Sequence, residues 1–131
     1  MDSRLRTLVK ERASHACDYC RVPESLSYDP FHIEHIVAKK HRGGDDDGNL
    51  CLACQNCNLH KGSNLSGIDP DSGKVVELFH PKRDAWEDHF IFRGPYIDRK
   101  TPTGRATVHV LAMNDDDQVA IREALGLYDA E

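Results

Sequence analysis

Residues 31–62 read FHIEHIVAKKHRGGDDDGNLCLACQNCNLHKG, and the fold follows from how that stretch divides. Phe31 to Val37 alternates imperfectly and is rich in β-formers, which predicts a strand. Lys39 to Gly48 is a polar loop with paired glycines and three successive aspartates. Asn49 to Ala53 predicts a second short strand, antiparallel to the first once the loop folds back. Gln55 to about Leu65 predicts a helix with Leu59 turned inward, weakened by Gly62. Strand, loop, strand and helix together are the smallest unit here that could hold chemistry.

That unit is not self-sufficient. The chain has five cysteines, at 17, 20, 51, 54 and 57. An odd number disfavours a disulfide framework, and two Cys-x-x-Cys pairs separated by a loop read as zinc knuckles. Cys17, Cys20, Cys54 and Cys57 can close a tetrahedral four-cysteine zinc site, stapling an N-terminal helix to the strand–helix unit. Cys51 permits a second register, 51/54, but it falls inside the predicted strand and reads as a buried, non-ligating thiol. Structural or redox cysteines are the plainer alternative.

Outward from the centre, Leu5, Leu8, Val9 and Arg12 follow helical spacing, so residues 3–13 predict a helix with Ser3 as its cap. Gly67 to Gly73 is a turn cluster and the natural boundary between a core over 1–66 and an extension over 67–131. In the extension, 74–79 predicts a strand, while 89–92 and 96–99 predict a hairpin about Gly94-Pro95. A helix should start at Thr101-Pro102, and a last one should run from Asp115–Asp117 to Gly126. The expected class is α+β, a small core with an αβ extension packed on it.

Composition bounds the partners. Apolar residues are 39% and charged residues 30%, which suits one domain with a modest core. No apolar run approaches the ~18 residues of a membrane helix, and the charged N-terminal stretch lacks an apolar signal-like run, so the expectation is a cytoplasmic protein. The net charge is −5, and residues 67–131 carry all of it, because residues 1–66 hold nine basic and nine acidic side chains. Such a balance argues against tight, charge-driven DNA binding but leaves room for a local phosphate-binding patch.

Within the central stretch, His35 can take a proton from water, since histidine as a class titrates near neutrality. Glu34 and Asn58 offer hard oxygen atoms suited to Mg2+ or Mn2+. Lys61, one helical turn after Asn58, can reach a phosphate oxygen. Asn49 can bond across the loop and hold it shut around His35. The Lys39–Arg42 run offers Arg42 as a second phosphate contact, beside its plainer reading as a solvated loop. Strand periodicity puts Glu34 and His35 on opposite faces and pairs His32 with Glu34 instead.

These residues resemble a known family. Glu34-His35-Ile36, Gly43-Gly44, Asn49-Leu50 and Cys54-x-x-Cys57-Asn58-x-x-Lys61 are similar to the HNH endonucleases of the ββα-metal fold, in their four-cysteine zinc subgroup. The resemblance spans residues 17–62. It implies that Glu34 and Asn58 bind the catalytic cation, that His35 is the general base, and that Asn49 holds the loop. It also implies that the acid and the histidine serve one site despite the strand's alternation. Hydrolysis of DNA to 5′-phosphate and 3′-hydroxyl ends would follow, with RNA the less expected substrate. Glu at 34 and Asn at 58 stand where the family more often has Asp and His.

Other histidines have plainer readings: His15 at a helix end, His41 in the basic run, His60 on the surface, and His109 in a core or at its boundary. His80 and His89 flank Pro81 and Trp86 and are candidates for the cleft. The competing function is a non-catalytic, zinc-stabilised module that binds nucleic acid.

Overall fold

The computed structural model of the protein describes residues 2–126. The first helix, α1 (Ser3–Arg12), is capped by Asp2 rather than Ser3, because the Asp2 carboxylate accepts from the Arg4 N–H. It buries Val9 and leaves Leu8 exposed. A turn-rich link then carries the first cysteine pair. The central unit follows: β1 (His32–His35), β2 (Leu50–Ala53) and α2 (Gln55–Lys61).

Strands β1 and β2 pair antiparallel, with Glu34 opposite Cys51 and His35 opposite Leu50. The first strand is shorter than its composition suggests, since the chain bends at Ile36-Val37. Helix α2 stops at Lys61, where Gly62 takes a positive φ of 52°. Leu59 is not inward: it is 74% exposed, while Cys57 and Lys61 are buried. A helix this short buries one stripe, and spacing of three and four residues from Cys54 selects 57, 58 and 61 for it.

The extension begins with an additional strand. β3 (Ser66–Ile68) pairs antiparallel with β4 (Val75–Glu77) about the Asp69–Gly73 turn. Gly67 is required there, because a Cβ would lie 2.6 Å from Val110 Cγ2. A short α3 (Trp86–His89) leads into the hairpin of β5 (Phe90–Arg93) and β6 (Tyr96–Arg99). Then comes α4 (Pro102–Val110), with Thr101 capping the Gly104 N–H and Pro102 in the first turn. Helix α5 (Asp116–Leu125) ends at Gly126 in a left-handed cap. The class is α+β, built among the described residues from three two-stranded antiparallel sheets and short helices.

One hydrophobic cluster runs through both parts, from Val9 and Tyr19 through Leu50 and Leu52 to Phe79, Phe90, Leu111 and Met113. Specific bonds cross the same seam. The Trp86 indole N–H donates to the Tyr19 carbonyl at 2.8 Å, and the Arg21 guanidinium lies 4.8 Å from the Trp86 ring. Asn56 Nδ2 donates to the Leu111 carbonyl at 3.0 Å. Asp69 and Arg105 form a two-pronged pair at 2.8 and 2.9 Å that fixes the β3–β4 turn to α4. Arg122 is fully buried, donating to the Pro95 and Met113 carbonyls and to Asn114.

Candidate nuclease site

The four knuckle cysteines converge. The sulfur atoms of Cys17, Cys20, Cys54 and Cys57 all lie within 4.8 Å of one another, and all four residues are buried. A tetrahedral ion with Zn–S bonds of ~2.3 Å needs sulfurs ~3.8 Å apart, and Cys20 and Cys54 stand at 3.6 Å. The local backbone already has the knuckle form. Cys17 Sγ accepts from the N–H groups of Tyr19 and Cys20, and Cys54 Sγ from that of Cys57, each at 3.4 Å. The thiols therefore fit one tetrahedral metal ion. Cys51 stands outside the cluster, with its thiol toward the Tyr19 hydroxyl and Glu34.

Each knuckle is also fixed to the central hairpin. Asp18 and Leu52 exchange two 2.8 Å bonds, backbone N–H to carbonyl one way and backbone N–H to carboxylate the other. Cys54 caps α2 directly. The four-cysteine cluster thus sets where α2 lies across β1, and with it the positions of Asn58 and Lys61.

Glu34 is buried beneath α2 at 6% exposure. Its Oε2 accepts from the Cys51 thiol at 3.5 Å, and Lys61 Nζ lies 3.5 Å from Oε1. The Lys61 ammonium is itself 2% exposed and donates to the Ile36 carbonyl at 2.9 Å. Burial pushes the Glu34 carboxyl up to about 7, against the pull of Lys61 and of hydrogen bonds from Cys51 and Tyr19. Oε1 makes no hydrogen bond among the described residues. The ammonium is close enough for charge pairing but does not satisfy that oxygen. The Lys61 ammonium, expected at a phosphate, is turned inward to Glu34 and Ile36.

His35 ends β1 and is partly exposed, its Nε2 lying 2.7 Å from Asp45 Oδ1. Asp45 belongs to the aspartate run and was not singled out by the sequence. The hydrogen bond to His35 holds its carboxyl below the usual range, with the Lys39 ammonium adding to the effect. Asn49 sits buried at the foot of β2. Its Oδ1 accepts from the Val37 N–H at 2.8 Å, and its Nδ2 donates to the carbonyls of Val37 and Gly44 at 3.0 and 2.8 Å. Asn58 is half-buried on α2. Arg42 is exposed in a left-handed turn with φ of 66°.

The remaining histidines separate. His32 is exposed at the start of β1. His60 bonds the Asn56 carbonyl on the helix surface, and His41 bonds the Ser63 carbonyl. His109 is exposed, not part of the core. His89 bonds Thr101. His80 accepts the Lys82 and Arg83 N–H groups on Nδ1 and lines a cavity of about 140 Å3 with Ile36, Val37 and Lys61.

A family model described as HNH endonuclease matches residues 17–64. Over those residues the chain is similar to HNH endonucleases. The match opens on the first knuckle cysteine and closes just past α2, so it encloses the four-cysteine cluster, the β1–β2 hairpin and the helix. No curated protein and no solved structure matches the chain at a significant level. Among the described residues, no helix is long and apolar enough to cross a membrane. The HNH-like segment thus gathers four thiols that could hold a metal ion and places Glu34 and His35 at the end of its first strand.

Proposed function

We propose that the protein is a metal-dependent endonuclease that hydrolyses DNA phosphodiester bonds. The observation that carries this reading is the buried Glu34 carboxylate, with an unsatisfied oxygen, next to a solvent-reachable histidine inside an HNH unit. A buried acceptor without a donor fits a cation. Glu34 and Asn58 would hold one Mg2+ or Mn2+ ion, and Cys17, Cys20, Cys54 and Cys57 a structural zinc. When bound, the hard cation supplies positive charge to the scissile phosphate and the leaving oxygen.

The chain's own groups do the rest. His35 accepts the proton of the attacking water. Asn49 holds the loop beside it, and Arg42 contacts the phosphate backbone from its exposed turn. Zinc keeps α2, and so Asn58, in place. The local neutrality of residues 1–66 supports contact through a few placed cations rather than a broad basic face.

A second reading draws on Lys61. An ammonium 3.5 Å from Glu34 already supplies counter-charge, which favours a closed ion pair in a zinc-stabilised module that binds nucleic acid without cutting. One experiment separates the two. Zinc-loaded protein is incubated with supercoiled plasmid and with single-stranded RNA, in Mg2+ or Mn2+, beside His35→Ala. Plasmid cleavage by the wild type and its loss in a folded, zinc-replete His35→Ala supports the DNA endonuclease. Retained nucleic-acid binding with no cleavage in any metal overturns it in favour of the binding module.

A further inference from the structure

The loop between β1 and β2 carries three successive aspartates, and they are not equivalent. Asp46 and Asp47 contribute backbone carbonyls, to the Asn49 N–H and to Arg12. Only Asp45 aims its carboxylate at a site residue, with Oδ1 2.7 Å from His35 Nε2. The Asp45 side chain is 66% exposed, so the pair contributes little to stability. Yet its placement is held by several independent contacts.

Asn49 clamps both polar groups of Val37 and donates to the Gly44 carbonyl, the residue before Asp45. Gly43 passes so close to Val37 that a Cβ would lie 1.7 Å from its carbonyl oxygen. Arg42 turns the chain in a left-handed conformation. From α1, Arg12 binds the carbonyls of Asp47 and Leu50 at the far end of the loop. The loop is therefore built to present one carboxylate to one imidazole nitrogen.

We infer that Asp45 is the positioning residue of the general base and that His35 Nδ1 is the atom that takes the proton. A carboxylate accepts only, so the nitrogen facing it keeps its hydrogen. Nδ1 has no hydrogen-bond partner among the described residues, and with the hydrogen on Nε2 it is the nitrogen that carries the free lone pair. In the step, a water O–H bond breaks and its proton passes to Nδ1, giving imidazolium. The water oxygen bonds to phosphorus, and the P–O bond to the 3′ oxygen breaks with its electron pair leaving on that oxygen, which solvent then protonates. Asp45 stays ionised and faces the imidazolium that forms. Asn49 acts through Gly44 and Asp45 on His35, which gives its contacts a chemical purpose.

The catalytic part of this inference rests on the proposed nuclease reading, but the tautomer does not. Long-range 1H–15N spectra of zinc-loaded, full-length protein report which ring nitrogen of His35 carries hydrogen, with His35→Gln assigning the signal. The wild type is expected to show a protonated, exchange-slowed Nε2 and a bare Nδ1. Asp45→Ala should lose the slowed Nε2–H signal, and Asp45→Glu should restore it. In plasmid cleavage with Mn2+, Asp45→Ala should lower kcat about 10–100-fold with KM unchanged. Asp47→Ala, which removes the same charge from the same loop, should alter neither. An unchanged His35 signal in Asp45→Ala overturns the inference, as does a kcat within twofold of wild type in an active enzyme. A wild type that cuts nothing overturns the nuclease reading alone, because the spectra still decide the pairing.

Discussion

The buried pair of Lys61 and Glu34 makes a strong demand on the protein, and Lys61→Met tests it. The substitution keeps an unbranched side chain of similar reach and removes the ammonium. At 3.5 Å and an effective dielectric of about 20, the lost attraction is about 5 kcal/mol before desolvation is counted. The Ile36 carbonyl, which receives a 2.9 Å bond from Lys61, is left without its donor, a further cost of about 1–3 kcal/mol. Relief of the ammonium's own desolvation offsets part of this, and broken buried pairs lose about 3–5 kcal/mol in practice. With an m-value of about 2 kcal/mol per molar urea, the unfolding midpoint should fall by about 2 M. The assay is urea unfolding of zinc-loaded wild type, Lys61→Met, Glu34→Gln and the double variant at one pH. In the double variant no uncompensated carboxylate remains, so most of the loss should be recovered, with a coupling of at least about 2 kcal/mol. A loss below about 1 kcal/mol in Lys61→Met, or an equal loss with and without Glu34, would refute the buried-pair reasoning. A surface phosphate contact would behave in the opposite way, weakening DNA binding and leaving the midpoint unmoved.

Removal of the knuckle metal should unfold the central unit, since structural zinc supplies about 10–16 kcal/mol in small knuckle domains. The one tryptophan, Trp86, bonds the first knuckle at Tyr19, so its fluorescence should shift on chelation; Cys57→Ser should fail to bind zinc, while Cys51→Ser should retain one equivalent by elemental analysis. The Arg105 guanidinium holds the Asp69 carboxyl well below the usual carboxylate range. A depressed acid stabilises the fold above its unfolded pKa and loses that contribution as pH falls below about 4, so wild type should lose stability there more steeply than Asp69→Asn, read by thermal melts across pH 2–7. Gly43→Ala places a carbon 1.7 Å from the Val37 carbonyl oxygen and should cost about 2 kcal/mol or more with reduced cleavage; an unchanged melting temperature would show that the loop is not closely held.

What the sequence made legible is what depends on spacing. Cysteine pairs two residues apart define knuckles whatever surrounds them, and the four thiols converge as that spacing implied. The hairpin, the helix beginning at the second knuckle, the capped start of α4 and the glycine stop of α5 are likewise local, each carried by turn or cap chemistry. What stayed hidden depends on which way a side chain faces within a known element. Lys61 and Leu59 lie two residues apart on one helix. Composition turns the leucine in and the lysine out, yet the structure does the reverse. The reason is that α2 is held at its cap and first turn by Cys54 and Cys57, so the cysteine cluster and not hydrophobicity sets its rotation. Once that rotation is fixed, the stripe continuing from Cys57 reaches Lys61, and a buried lysine requires a buried carboxylate. Glu34 occupies that position, opposite Cys51 on the hairpin. Asp45 escaped for the complementary reason. Three like residues in a polar loop carry no periodicity, and only the clamp of Asn49 on Val37 and Gly44 singles out the first of them. On the proposed reading, the cysteine cluster sets α2 and its Lys61 over Glu34 while the loop clamp sets Asp45 against His35, so two separate devices meet at consecutive residues of β1.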